Sequence, residues 1–319
     1  SLGMGSYREW SSLFEGPPTS DLLPKRSIPQ LRLGVVVCAG SFECDNVNGT
    51  EFAQALQDTL LSLEQQDFKA QIYIPNALQN KRAGKRQQRV PRSVSDMLQS
   101  ALDDQCDVIA CIRVGDTLLP HALTCALEGF ANSRTHIVYT DSERAGKPWF
   151  KPAWNPEYAL ASDYPLDFML VRRAVLDTYL NKNPVPLDQA QFSWGMLSLV
   201  WNQGESAIVH VPRVLYHLNS ALSESEKIKR TDAAQRALAV LEPESQLLPH
   251  SPNSGNFSAR RICRHLNQKK RNTAVTFIIP TRDRVNLLSR CISTLQAHTD
   301  WPNLEIIVVD NDSVEAKTK

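Results

Sequence analysis

Apolar residues along this chain keep two rhythms, and the two alternate. Apolar runs at residues 33–37, 137–139 and 306–309, the run 275–279 broken by Thr276 alone, and a similar stretch inside 106–114 have the length of strands. Runs without polar interruption belong to strands covered on both faces of a sheet. Between them, apolar residues recur every three or four positions. Phe52, Leu56, Leu60 and Leu63 share one helical face, as do Leu287, Leu288, Cys291, Ile292 and Leu295. A helix follows Ser93 or Ser95, either of which can cap it. Residues 165–180 read as a strand leading into a helix, 192–204 as an apolar helix ended by Gly204, and 207–218 as a pair of strands. This alternation predicts an α/β fold: a mostly parallel sheet with helices on both faces.

The pattern also starts twice. Laying residues 33–76 against 275–311 sets "TLLSL" on "CISTL" and "AQIYIPN" on "EIIVVDN". The organisation that follows is an extended lead-in at 1–30, a first module at 31–220, a polar helical connector at 221–272, and the opening of a second, similar module at 273–319. That second module is expected to continue beyond Lys319, since such a domain needs roughly 200 residues. Two strands and one helix cannot cover both faces of a sheet. The runs at 277–279 and 306–309 therefore call for a partner surface, on the first module or, by self-association, on another copy.

Composition narrows the setting. Hydrophobic content of 42% and charged content of 22% fit a globular protein, and a net charge of +1 gives no reason to expect a nucleic-acid partner. Two basic runs, 81–89 and 260–271, read as a solvated loop and linker, or as peripheral contacts with anionic lipid heads or phosphorylated glycans. No stretch approaches the ~20 apolar residues of a membrane helix, and residues 1–10 lack the apolar core of a signal peptide. The seven cysteines include no C-x-x-C pair, and several sit inside apolar runs. They read as buried thiols of a cytoplasmic protein, with the inner face of the membrane as one setting, and not as a zinc site.

Three passages of the first module, "VGDTLLPHAL", "VYTDSERAGKPWFKPAWNPE" and "VPRVLYHLN", together resemble the family 2 glycosyltransferases. The strand, Pro-Thr loop, helix and acidic strand end of residues 273–313 resemble the opening of the same family. The resemblance implies a GT-A fold, a nucleotide-sugar donor, a glycan acceptor, and Mg²⁺ or Mn²⁺ to carry the charge growing on the leaving diphosphate. It also implies a carboxylate base near the acceptor hydroxyl. In the second module, Pro280, Thr281, Asp283 and Asp310 are the implied nucleotide-binding residues.

The first module departs from the family where chemistry is concentrated. Arg113-Val114-Gly115-Asp116 stands in place of Asp-x-Asp-Asp. Asp116 is then either a vestigial metal ligand or a helix cap, and His217 either a residual ligand or a buried histidine bonded to backbone. Phe192 occupies the expected base position, and Trp194 replaces the second acid. Cys38-Ala39 and Pro75 replace the nucleotide-binding landmarks. No catalytic set is intact and no metal is expected in this module. Asp141, Glu143, Trp149 and Trp154 are candidate sugar-binding residues, against the plainer reading of loop and packing residues. The expectation is a glycosyltransferase, in surface polysaccharide or glycan synthesis, whose transfer belongs to the second module. The alternative is a pseudo-glycosyltransferase module that binds acceptor glycan or acts as a scaffold. A third reading keeps the first module active without metal, Arg113 itself neutralising the diphosphate.

Overall fold

β1 (Leu33–Cys38) explains its own sequence: all six positions are buried, and alternate side chains enter different cores. Val36 and Cys38 face one layer of helices, Val35 and Val37 the other. A computed structural model describes residues 7, 30–40, 49–75, 93–183, 187–219, 221–248, 259–264 and 272–318. Most of the lead-in, the basic run 81–89, and residues 265–271 lie outside the described residues. The chain divides into two compact units, Ser1–Cys263 and Arg264–Lys319.

In the first unit, β1 pairs in parallel with β2 (Gln71–Tyr73) and with β3 (Val108–Arg113), and the register sets Cys38 beside Arg113. α1 (Gly49–Glu64) and α2 (Val94–Asp103) make the crossovers, α2 opening on a Ser93 capping box. Beyond a loop, β4 (Thr117–Leu118) precedes α3 (Ala122–Glu128), and β5 (Ile137–Arg144) turns into β6 (Lys147–Trp149). α4 (Pro156–Ser162) leads to β7 (Met169–Arg172), which runs directly into α5 (Arg173–Lys182). α6 (Gln189–Val200), β8 (Ile208–Leu218) and α7 (Glu224–Leu241) follow, then the small pair β9 (Ser245–Leu248) and β10 (Arg261–Arg264). The main sheet has eight strands, in the order β2-β1-β3-β7-β5-β8-β4, with β6 on β5. β1, β2, β3, β5 and β8 share one direction; β7, β4 and β6 run against it. The mixed α/β architecture is the expected one, with the antiparallel β7 inserted at its centre.

Two expectations need correction. The stretch expected as a pair of strands is one long strand, Ile208–Leu218, because β8 absorbs a register irregularity opposite Asp141 instead of turning back. The supposed connector belongs to the first unit as far as Cys263. Ala233, Ala234, Ala237 and Leu238 of α7 are buried in the core. Alanines at this spacing let a helix approach closely while its other face stays polar, so composition alone disguised a core element as a linker. Close packing also explains Gly195 inside α6: a Cβ there would collide with the Tyr179 ring.

The second unit has the expected form. β11 (Val275–Thr281) and β12 (Leu304–Asp310) are parallel neighbours, with Thr281 opposite Asp310, joined by α8 (Val285–His298). Val275, Phe277 and Ile279 are half-buried, whereas Ile278, Ile307 and Val309 on the opposite face are exposed. No helix among the described residues is long and apolar enough to cross a membrane.

Candidate functional site

The carboxyl end of β3 delivers Arg113 into a buried ionic centre. Its Nε lies 2.9 Å from Asp116 Oδ2 and its Nη2 3.3 Å from Oδ1. Nη1 donates to Glu226 Oε1 at 3.2 Å from the first turn of α7. Tyr216 Oη donates to Asp116 Oδ2 at 2.7 Å, and the Asn219 backbone N–H reaches Oδ1 at 3.1 Å. Thr59 of α1 braces the loop, accepting from the Gly115 N–H and donating to the Asp116 carbonyl. Gly115 has φ +93°, a conformation that glycine adopts at little cost. Burial pushes the Asp116 carboxyl up, and Arg113 and Tyr216 pull against that. Burial also opposes the charge of Arg113, but Asp116, Tyr216 and Glu226 outweigh it and hold the guanidinium protonated.

This arrangement revises two readings of the sequence. Both Asp116 oxygens are occupied by Arg113, Tyr216 and Asn219, so the side chain is an ion-pair partner and not a helix cap; His121 is the residue at the start of α3. The Arg113 side chain is 3% exposed and bound to two carboxylates. It therefore presents no free face to a diphosphate.

At the base position the structure has core. Phe192 is fully buried, one turn into α6, whose N-cap Asp188 forms a capping box with Gln191. Trp194 is buried too, its Nε1 donating to Asp163 at 2.9 Å, with the Arg260 guanidinium over the ring and on the same carboxylate.

Asp141, at the irregularity of β5, accepts the Lys151 backbone N–H at 2.8 Å and contacts His210 Nε2 at 2.7 Å. Glu143 lies 3.8 Å from His217 Nε2, and both are partly exposed. His217 is thus not the buried histidine of one expectation. Among the described residues no three His, Cys, Asp or Glu side chains gather in a way that could hold a metal. Trp154 is 8% exposed and sits edge-on against Trp201, so it offers no open face to a sugar. Trp149 stays half-buried, with Lys151 Nζ 5.5 Å from its ring.

Several residues that shape this region escaped the sequence reading: Tyr216, Glu226, Lys151, Asp167 and Arg230. Asp167, fully buried, receives Lys151 Nζ at 3.7 Å, Ser142 Oγ at 3.1 Å and Arg230 Nη1 at 3.5 Å. Burial alone would raise its carboxyl, but Lys151 and Arg230 outweigh burial and hold it below the usual range. A depressed carboxylate contributes stability that is present above its unfolded pKa of about 3.9 and lost as pH falls through the folded value. Chemical denaturation is expected to show the unit weakening below about pH 4, and Asp167→Asn to flatten that slope. An unchanged slope in the variant would mean that other carboxylates drive acid unfolding.

In the second unit, the strand-end loops are clasped together. The Asn311 N–H donates to the Thr281 carbonyl at 2.9 Å, and the Ser313 N–H to Asp310 Oδ1 at 3.2 Å. Asp283, at φ +49°, accepts the Val314 and Glu315 N–H groups at 2.6 and 2.8 Å. Pro280 and Asp310 are exposed, Thr281 and Asp283 half-buried.

Fold and site together define a mixed α/β protein with a buried ionic centre at the carboxyl end of a central strand, the end at which such folds bind ligands. No family model matches the chain. It is 30% identical over 222 residues to the O-antigen biosynthesis protein RfbC of Myxococcus xanthus, an alignment covering 66% of this chain and 17% of that protein. It is 28% identical over 224 residues to the uncharacterised protein y4gI of Sinorhizobium fredii, covering 66% and 24%. The chain thus spans less than a quarter of the length of these curated relatives. Among solved structures, S. aureus TarS in complex with UDP-GlcNAc superposes with a TM-score of 0.43 at 12% identity, over 66% of each chain. A likeness that distant carries no argument about this chain.

Proposed function

We propose that this chain is part of a nucleotide-sugar-dependent glycosyltransferase of polysaccharide or O-antigen synthesis. In this reading its first unit is a non-catalytic module, and sugar transfer belongs to the module that residues 273–318 open. The observation that carries the proposal is the ionic centre at the end of β3. A metal-dependent transferase of the resembled family needs carboxylate oxygens free for a hard dication there. Here Arg113 occupies that place and Asp116 is fully engaged by its neighbours. The name of the Myxococcus relative supports the polysaccharide setting. Thr281, Asp283 and Asp310 are the proposed nucleotide contacts of the second unit, with Mg²⁺ or Mn²⁺ as the cation of the complete site. The first unit then holds acceptor glycan or positions its neighbour.

Two measurements test this. Calorimetry with uridine diphosphate and Mn²⁺ is expected to show binding weakened about tenfold or more by Asp310→Ala, the loss of a charged contact. A crystal soaked in Mn²⁺ is expected to show no ion on Asp116; an ion there at bonding distance would return the first unit to the active enzymes.

A further inference from the structure

Tyr7, from the lead-in, is helical and half-buried, and it belongs to the first unit. Its ring stands edge-on to Phe150, with centroids 6.4 Å apart and planes at 75°. Phe150 is 56% exposed, an unusual place for so large an apolar side chain. It lies in an apolar strip just past the β5–β6 turn. Pro148 and Trp149 are half-buried there, Phe150, Pro152 and Ala153 are exposed, and only Lys151 among them is buried. A contiguous apolar surface of this kind marks a place where something docks.

The sequence around Tyr7 identifies the occupant. Ser6 and Glu9 have the spacing of a capping box. Tyr7, Trp10, Leu13 and Phe14 recur at helical spacing, and Gly16-Pro17-Pro18 ends the pattern. The pattern is that of a short amphipathic helix with aromatic residues along one face. A helix so short is marginal in water and holds when its apolar face is covered. Tyr7, at one end of that face, is already on Phe150. Charge argues for a protein surface over a lipid one. The polar positions Arg8, Glu9, Ser11, Ser12 and Glu15 carry one cation against two acids, whereas helices that lie on anionic membranes are rich in Lys and Arg.

We infer that the strip at 148–153 is the docking surface of the chain's own residues 7–14, with Tyr7, Trp10 and Phe14 laid against Phe150 and its neighbours. The segment then straps the aromatic loop that the sequence offered as a sugar contact, and a glycan reaches that loop only when the strap leaves. The inference is independent of whether either unit transfers a sugar.

The test is limited trypsin digestion of the full chain, following cleavage between Arg8 and Glu9 by mass spectrometry. A synthetic peptide of residues 1–18 serves as the undocked reference. The bond is expected to be cut about tenfold or more slowly in the protein than in the peptide, since cleavage needs the apolar face to leave its surface first. Phe150→Ser, at an exposed position, should keep the circular dichroism of the parent and lose most of that protection. Trp10→Ser should lose it as well, and it decides the matter if Phe150→Ser proves unfolded. Protection should be unchanged on dilution and on adding phosphatidylglycerol vesicles. Cleavage as fast as in the peptide, or protection that survives both substitutions, overturns the inference. Protection that fades on dilution assigns the strip to a second copy, and protection that appears only with vesicles assigns the segment to a membrane surface; either result overturns it too.

Discussion

Asp116→Ala is expected to destabilise the first unit by about 3–5 kcal/mol, the cost of removing one partner from a buried ion pair. The side chain is fully buried, and its removal strands three donors at once: the Arg113 guanidinium, the Tyr216 hydroxyl and the Asn219 N–H. Glu226 keeps Arg113 from being wholly unpaired. Asp116→Asn should cost less, since an amide oxygen can still accept. Replacing the pair together by apolar residues of similar volume should recover much of the loss, because the desolvation of both charges is then removed. Urea denaturation of the three variants gives the ranking. A loss below about 1 kcal/mol for Asp116→Ala, the scale of an exposed pair, would place the carboxylate in an open cleft and restore it as a candidate metal ligand.

Phe192→Asp puts an acid where the resembled family has its base, and it is expected to unfold the first unit, not to revive it. Truncating a buried Phe costs about 3–5 kcal/mol, and an unpaired carboxylate in its place adds several more. Losses above about 5 kcal/mol approach the whole stability of a domain. Phe192 is fully buried in the same apolar core as Trp194, Met196 and Leu197. The readouts are the denaturation midpoint and hydrolysis of a nucleotide-sugar. A variant that keeps the parent midpoint and gains hydrolysis would show that this position still faces a working cleft.

Both expectations come from residues whose identity was plain in the sequence and whose surroundings were not. The departures at Arg113, Asp116, Phe192 and Trp194 could be read by comparing the chain with a family pattern. What filled the vacated roles could not. Tyr216 and Asn219 reach Asp116 from 100 and 103 positions further along the chain. Glu226 and Arg230 come from a helix whose composition suggested a linker. Trp154, quoted for its aromatic face, turned out to pack edge-on against Trp201.

Local physics accounts for the division. The apolar runs of β1, β3, β11 and β12 and the spacing of α1 and α8 follow from which faces each element must bury, and that information lies within a few residues of chain. The repeat between residues 33–76 and 275–311 is legible for the same reason. Sheet order is a longer-range matter. That β7 enters antiparallel between β3 and β5, and that β8 is one strand, depends on pairings whose partners lie far apart in the chain. The charge balance of the ionic centre is longer-range still. Whether Asp116 is a ligand, a cap or an ion-pair partner depends on how many donors surround it and how little water does. Only the packed arrangement of β3, β8 and α7 determines that, because burial and not residue type makes the pairing of each charge obligatory.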